Sequence, residues 1–189
     1  ITDLRLKDHS ALFNACKGKK KTLLVFFIDP RFFESMKFGH IKFDIYKQKF
    51  MYESLINLYN NIKDNNGHLN IYFEKPEIKI PELVEKYEVK NIYHITDTAD
   101  EELKIIKKLK NKLTDIKIID TWDNTLFNLE DINFNPSKFP DVFTYFRKSV
   151  NINKIREPLE FNTKKLKRSI NDIENINIVK EKNNKLNIK

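Results

Sequence analysis

Glycine is scarce: Gly18, Gly39 and Gly67 are the only three in 189 residues. No GxGxxG, Walker A or GxSxG motif can therefore exist, which removes the glycine-dependent nucleotide and nucleophile-elbow signatures. Cysteine is scarcer still. The lone Cys16 forbids an internal disulfide and any CxxC zinc site, and it fits an intracellular, reducing compartment. His9, His40, His68 and His94 lie far apart without helical ligand spacing, so no metal site is expected. Long apolar runs are also absent. Stretches such as Leu23 to Ile28 fall far short of the ~20 residues a membrane span needs. Thr2, Asp3 and Arg5 precede any apolar stretch, against a signal peptide, and the chain opens on Ile1 rather than Met, as though residues upstream had been trimmed.

What is present suffices for a folded domain. Hydrophobic residues make up 40%, charged residues 33% and aromatics 12%, too apolar for wholesale disorder. The formal charge is +8, unevenly placed. Residues 151–189 hold 10 Lys and Arg against 5 Asp and Glu, and the first 150 residues hold 25 against 22. The expected division is a nearly balanced domain over 1–150 and a basic Lys/Asn-rich linker or tail over 151–189. Such a tail can hold phosphates electrostatically, or be no more than a solvated linker.

Thr22 to Ile28 is an apolar, β-branched and aromatic run that stops at Asp29-Pro30, the pattern of a strand buried on both faces in a parallel sheet. Phe43, Tyr46, Phe50, Leu55, Leu58 and Ile62 mark one face of a long helix closing near Gly67. Further strands are expected at His68–Phe73, Val89–Ile95 and Ile116–Ile119. Between them, helices are expected from Pro76 or Pro81 through Tyr87, and after an Asp100 N-cap through Leu109. Thr121–Phe134 is expected to be a loop and Pro140–Val150 a helix. Strands alternating with helices imply right-handed βαβ crossovers and a parallel sheet.

The first block with a family likeness is Asp3 to Leu12 (DLRLKDHSAL), which resembles the opening of the cryptochrome/photolyase family. Phe27 to Arg31 (FIDPR), Phe50 to Leu55 (FMYESL), and Lys75-Pro76-Glu77 with Pro81-Glu82-Leu83 continue the likeness in order. Trp122 to Phe134 (WDNTLFNLEDINF) and Phe139 to Lys148 (FPDVFTYFRK) resemble the DASH-type branch. The resemblance implies the N-terminal α/β domain: a Rossmann-like, doubly wound, five-stranded parallel sheet with helices on both faces. Its first strand would be truncated here to Ile1-Thr2. FAD, the light-driven splitting of pyrimidine dimers (single-stranded DNA favoured) and flavin reduction would belong to a helical C-terminal domain, in the same chain or a split gene.

The family's α/β domain commonly carries an antenna chromophore, a folate such as methenyltetrahydrofolate or a deazaflavin. In folate-binding members an early acidic residue of the helix after the fourth family strand contacts the pterin. Asp100, Glu101 and Glu102 occupy that place, with Glu101 the best match; equally, these carboxylates complement a helix N-terminus. Phe38 and His40, with Phe32 and Phe33, lie in the loop after Asp29-Pro30-Arg31, where apolar walls would suit a flat heterocycle. Arg5, Arg31 and Arg147 read as braces and Trp122 as structural. Two rivals stand beside the antenna domain. One is a stand-alone or degenerate fragment acting as a non-catalytic binding module; the other is a nucleic-acid accessory working through residues 151–189.

Overall fold

The computed structural model describes residues 3–36, 39–132, 135, 138–150 and 155–172. Helix α1 (Ser10–Ala15) is capped by His9, whose Nδ1 accepts from the Leu12 N–H at 3.2 Å. Strand β1 (Leu24–Phe27) leads into a 3₁₀ turn (Pro30–Phe33), and α2 (Ile45–Asp64) follows. Then come β2 (Leu69–Tyr72), α3 (Pro76–Lys86), β3 (Asn91–Ile95), α4 (Asp100–Lys112) and β4 (Lys117–Thr121). A 3₁₀ turn (Leu129–Asp131), α5 (Phe143–Ser149) and a last 3₁₀ helix (Thr163–Arg168) complete the order. No helix among the described residues is long and apolar enough to cross a membrane.

The strands form two parallel pairs. In the first Leu24 faces Leu69 and Phe27 faces Tyr72, and in the second Asn91 faces Lys117 and Ile95 faces Thr121. The α/β class and the parallel pairing are as expected, with four strands among the described residues in place of a continuous five. The Ile28 N–H bonds to Tyr72 O, so alternation points the backbone groups of Val25 and Phe27 away from β2. The Thr96 N–H bonds to Thr121 O, and Asn91 and Tyr93 point away from β4 in the same way. Among the described residues no further strand pairs with the outward-facing groups of β1 or β3. Burial differs from expectation too: β2 is buried along its whole length, whereas Val25 of β1 is exposed.

The core lies between α2 and the β1–β2 pair. Ile28, Met51, Leu55, Leu58, Ile62, Leu69 and Ile71 are buried together with Phe43 and Leu166. Within α2 the buried face is Met51, Leu55, Leu58 and Ile62, while Tyr46 and Phe50 are exposed. Leu55, Leu58 and Ile62 are buried as expected; only the first turns differ, because the step from Phe50 to Leu55 is too long for a 3.6-residue period and Met51 takes the inward place. Asp44 caps the helix by accepting from the Lys47 N–H. Helix α3 starts at Pro76 and runs through Pro81. For α4 the N-cap is Ala99, which places Asp100 inside the first turn. A proline-free, strongly acidic first turn conceals that one-residue offset in the sequence.

The larger surprise lies within residues 151–189, expected to be a basic linker or tail. Leu166 is fully buried in the core. Thr22 and Ser169 form a parallel bridge, with the Thr22 N–H donating to Arg168 O and the Ile170 N–H to Thr22 O. The His68 N–H donates to Ser169 Oγ, and Asn70 Nδ2 donates to Ile170 O at 2.8 Å. Fully buried Asp172 accepts from the Tyr72 hydroxyl at 2.6 Å and from Lys86 Nζ at 2.9 Å. Residues 159–172 therefore strap the β1–β2 half. The strap is illegible in the sequence because one leucine, an isolated backbone bridge and scattered side-chain bonds hold it, with no helix or strand period to detect.

Gly67, which ends the turn after α2, sits under this strap. A Cβ there would lie 2.8 Å from Leu166 Cβ and 2.9 Å from Ile62 Cγ2. Gly67→Ala is therefore expected to cost about 1–3 kcal/mol by overpacking. Urea unfolding measures it, and an unchanged midpoint would show that the strap does not press on this turn.

Candidate functional site

The chain emerging from β1 is held by charge. Asp29, 3% exposed, caps the 3₁₀ turn by accepting from the Arg31 N–H at 2.9 Å. Arg31 then forks between Asp29 and Glu77, reaching the two Glu77 oxygens at 3.0 and 2.9 Å. Lys108 of α4 adds a bond to Glu77 at 3.1 Å. Burial opposes ionisation of Glu77, but bonds from its own backbone N–H, Arg31 and Lys108 outweigh it, holding the carboxyl below the usual range. The same bonds, Asp29 first, raise the Arg31 guanidinium's proton affinity against the effect of burial. Asp29-Pro30-Arg31 and Lys75-Pro76-Glu77, separate motifs in the sequence, are one cluster in space.

Beside it lie the aromatic and acidic residues. The rings of Phe32 and Phe43 stack at 4.3 Å with planes 7° apart. Lys42 Nζ stands 5.7 Å from the Phe32 ring centre and pairs with Glu101. It also lies 3.9 Å from Glu102 Oε1. Glu102 Oε2 is buried and accepts no hydrogen bond. A buried carboxylate oxygen without a donor is costly in a folded protein, and it offers an acceptor to whatever presents an N–H or O–H there.

The expected site residues divide. Glu101 is at the site but tied to Lys42, with its side chain 57% exposed. Asp100 is exposed in the first turn, and Ala99 rather than Asp100 is the N-cap. His40 is exposed, and its carbonyl accepts from the Met36 N–H at 2.7 Å in the turn containing Gly39. Phe38 lies outside the described residues. Sequence reasoning missed Lys42. Its partners are 59 residues away, and a lysine in a loop carries no periodic signal.

The remaining motif residues are braces. Asp123 accepts from the Ser10 N–H and hydroxyl, both at 2.6 Å, and Arg5 donates to Asp8 O at 2.9 Å. Trp122 Nε1 donates to Thr125 Oγ1. His94 and Lys110 both bond Asp120, and these bonds outweigh the effect of burial to hold that carboxyl below its ordinary range. No cluster of metal-ligating side chains occurs among the described residues.

Paired parallel strands joined through helices, with aromatic and charged side chains gathered beyond the C-terminal end of β1, define an α/β unit of the doubly wound kind. The family model described as DNA photolyase matches residues 1–163, and the chain belongs to that family. The cryptochrome DASH of Synechocystis sp. is 32% identical over 155 residues, which span 81% of this chain and 32% of that protein. The crystal structure of the Synechocystis cryptochrome superposes with a TM-score of 0.79 over 84% of this chain and 34% of that one. The photolyase of Sulfolobus tokodaii shares the fold at 24% identity, with a TM-score of 0.64 over 84% of this chain and 35% of that one. That structure holds two FAD molecules and is described as implying a novel light-harvesting cofactor. The chain thus spans about a third of the length of these relatives. It is similar over that third to the N-terminal α/β domain of the DASH-type cryptochromes.

Proposed function

We propose that this chain is the light-harvesting part of a DASH-type cryptochrome/photolyase, taking a folate antenna, methenyltetrahydrofolate, against Lys42, Phe32 and Glu102. Such an antenna supplies near-UV absorption and passes the excitation to FAD in a helical partner domain. Repair of DNA, single-stranded by preference, or blue-light signalling belongs to the two domains together. The observation that carries the reading is the buried, unbonded Oε2 of Glu102. A pterin presents amino and ring N–H donors, and a carboxylate accepts two of them at once. Phe32, backed by Phe43, offers a flat apolar wall, and Lys42 anchors Glu101 so that Glu102 keeps its free oxygen.

Residues 101 and 102 project about 100° apart around the helix, so their roles separate. Glu102→Gln is expected to weaken folate binding roughly ten- to a hundredfold, the loss of a charge-assisted bond of ~1.5–3 kcal/mol. Glu101→Gln, which leaves the Glu102 oxygen in place, is expected to cost less. Titration followed by the near-UV shift of methenyltetrahydrofolate reads both. A Glu102→Gln chain that binds as the parent does would sink the site. Absence of binding by the parent, with or without the helical domain in trans, would sink the folate.

A further inference from the structure

Residues 17–22 read Lys-Gly-Lys-Lys-Lys-Thr, and residues 163–168 read Thr-Lys-Lys-Leu-Lys-Arg. They lie far apart in the sequence, yet the structure lays them side by side. Arg168 donates to Gly18 O at 2.7 Å, and the Thr22 N–H donates to Arg168 O at 3.2 Å. Lys165 Nζ covers the Phe13 ring at 5.5 Å, one helix turn before Cys16 and its neighbour Thr22. Lys17, Lys19, Lys20, Lys21, Lys164, Lys165, Lys167 and Arg168 are thus gathered on one surface. Neither segment contains an acidic residue. Among the described residues, no ion pair engages any of the eight. Lys17, Lys19, Lys20, Lys21, Lys164 and Lys167 are exposed. The surface precedes β1 and therefore lies at the opposite strand end from Asp29, Phe32 and the proposed antenna site.

We propose that this double basic segment is a sequence-independent binding surface for the phosphate backbone of nucleic acid. Eight uncompensated cations repel one another, and a polyanion relieves that repulsion while releasing its own counterions. Apolar chemistry favours nucleic acid over a lipid surface. None of the exposed large hydrophobic side chains falls within 13–22 or 161–170, and Leu166 points into the core. A lipid-surface segment would present an apolar face to bury beside its cations. Base readout is not built in either: Phe13, the nearest aromatic, is half-buried and already covered by Lys165. The surface is independent of the antenna reading, because no residue is shared.

The test is fluorescence anisotropy of the 189-residue chain with a labelled oligothymidylate of about 20 nucleotides, and with a duplex of equal length. Salt is varied between about 50 and 200 mM. Replacing Lys17, Lys19, Lys20 and Lys21 together by Gln is expected to weaken binding by roughly tenfold or more at the lowest salt. It should also flatten the plot of log affinity against log salt by about 0.7 for each single-strand phosphate that is no longer neutralised. Replacing exposed Lys164 and Lys167 by Gln should act in the same direction from the other segment. Removing the same charge elsewhere, at Lys63, Lys104, Lys107 and Lys112, should change neither affinity nor slope. Circular dichroism of each variant establishes that it is folded. Equal losses from the control set would overturn the proposal, as would no binding by the parent at the lowest salt. Tighter binding to phosphatidylserine–phosphatidylcholine vesicles than to either oligonucleotide would overturn the choice of nucleic acid.

Discussion

Ending the chain at Pro158 is expected to abolish cooperative unfolding of the β1–β2 half. The deletion removes Leu166, fully buried against Gly67 and Ile62, and loss of a buried leucine to alanine alone costs about 2–5 kcal/mol. It also removes the acceptors of the His68 N–H and the Tyr72 hydroxyl and both backbone partners of Asn70 from the strap. Each lost bond that neither another protein group nor water replaces costs about 1–3 kcal/mol. Together these losses approach the whole stability of a typical domain, about 5–15 kcal/mol. Urea unfolding followed by circular dichroism should show a broad, early transition for the truncated chain. Leu166→Ala in the full chain should give a sharp one at lower urea. A truncated chain with the parent's midpoint would show that the strap merely rests on the core.

Arg31→Leu is expected to cost about 3–5 kcal/mol at neutral pH, the range for breaking a buried ion pair from one side. The carboxylates of Asp29 and Glu77 are 4% and 11% exposed, and leucine offers them no donor. The sign with pH is distinctive. In the parent, Glu77 is held below its ordinary value of 4.5. The stability that comes from it is fully present above that value and is lost as pH falls through the lower folded one. In Arg31→Leu, burial and the loss of the guanidinium push the same carboxyl upward, with the Glu77 backbone N–H and Lys108 opposing. Protonation then relieves the variant while it weakens the parent. The gap between them should narrow as pH drops from about 6 toward 4. Thermal midpoints across that range measure it, and a gap that stays constant would remove Glu77 from the account.

The four strands are legible because each is a short apolar run, rich in β-branched and aromatic residues, stopped by polar or turn residues. Helix α2 is legible as an element and, from Leu55 to Ile62, in phase; its first half is misread, since Phe50 is the more conspicuous apolar residue and Met51 the one that keeps the period. The ordered motifs are legible singly and not as a constellation: nothing in one dimension says that Arg31 reaches Glu77, or that Lys42 reaches Glu101. Glu102 is legible as part of an acidic first turn. Its distinction from Glu101 is a matter of which oxygen a lysine takes, and only coordinates carry that. The strap shows the limit most clearly. Asn70 interrupts an otherwise apolar strand, and its two bonds to the strap are the reason that interruption is tolerated in β2.

The largest cluster of buried side chains lies on one side of the molecule. The core cluster draws on β1, β2, α2 and the strap, whereas among the described residues β3 and β4 contribute no fully buried hydrophobic side chain and α4 contributes Leu109 alone. Sparse apolar burial means a low local opening free energy. Amide protons of β3 and β4 are therefore expected to exchange with solvent by partial opening, before those of the β1–β2 half. Trp122, the single tryptophan and the residue after β4, is expected to report that first event in its emission. The first turn of α4, with Glu101 and Glu102, then belongs to the part of the molecule expected to loosen first.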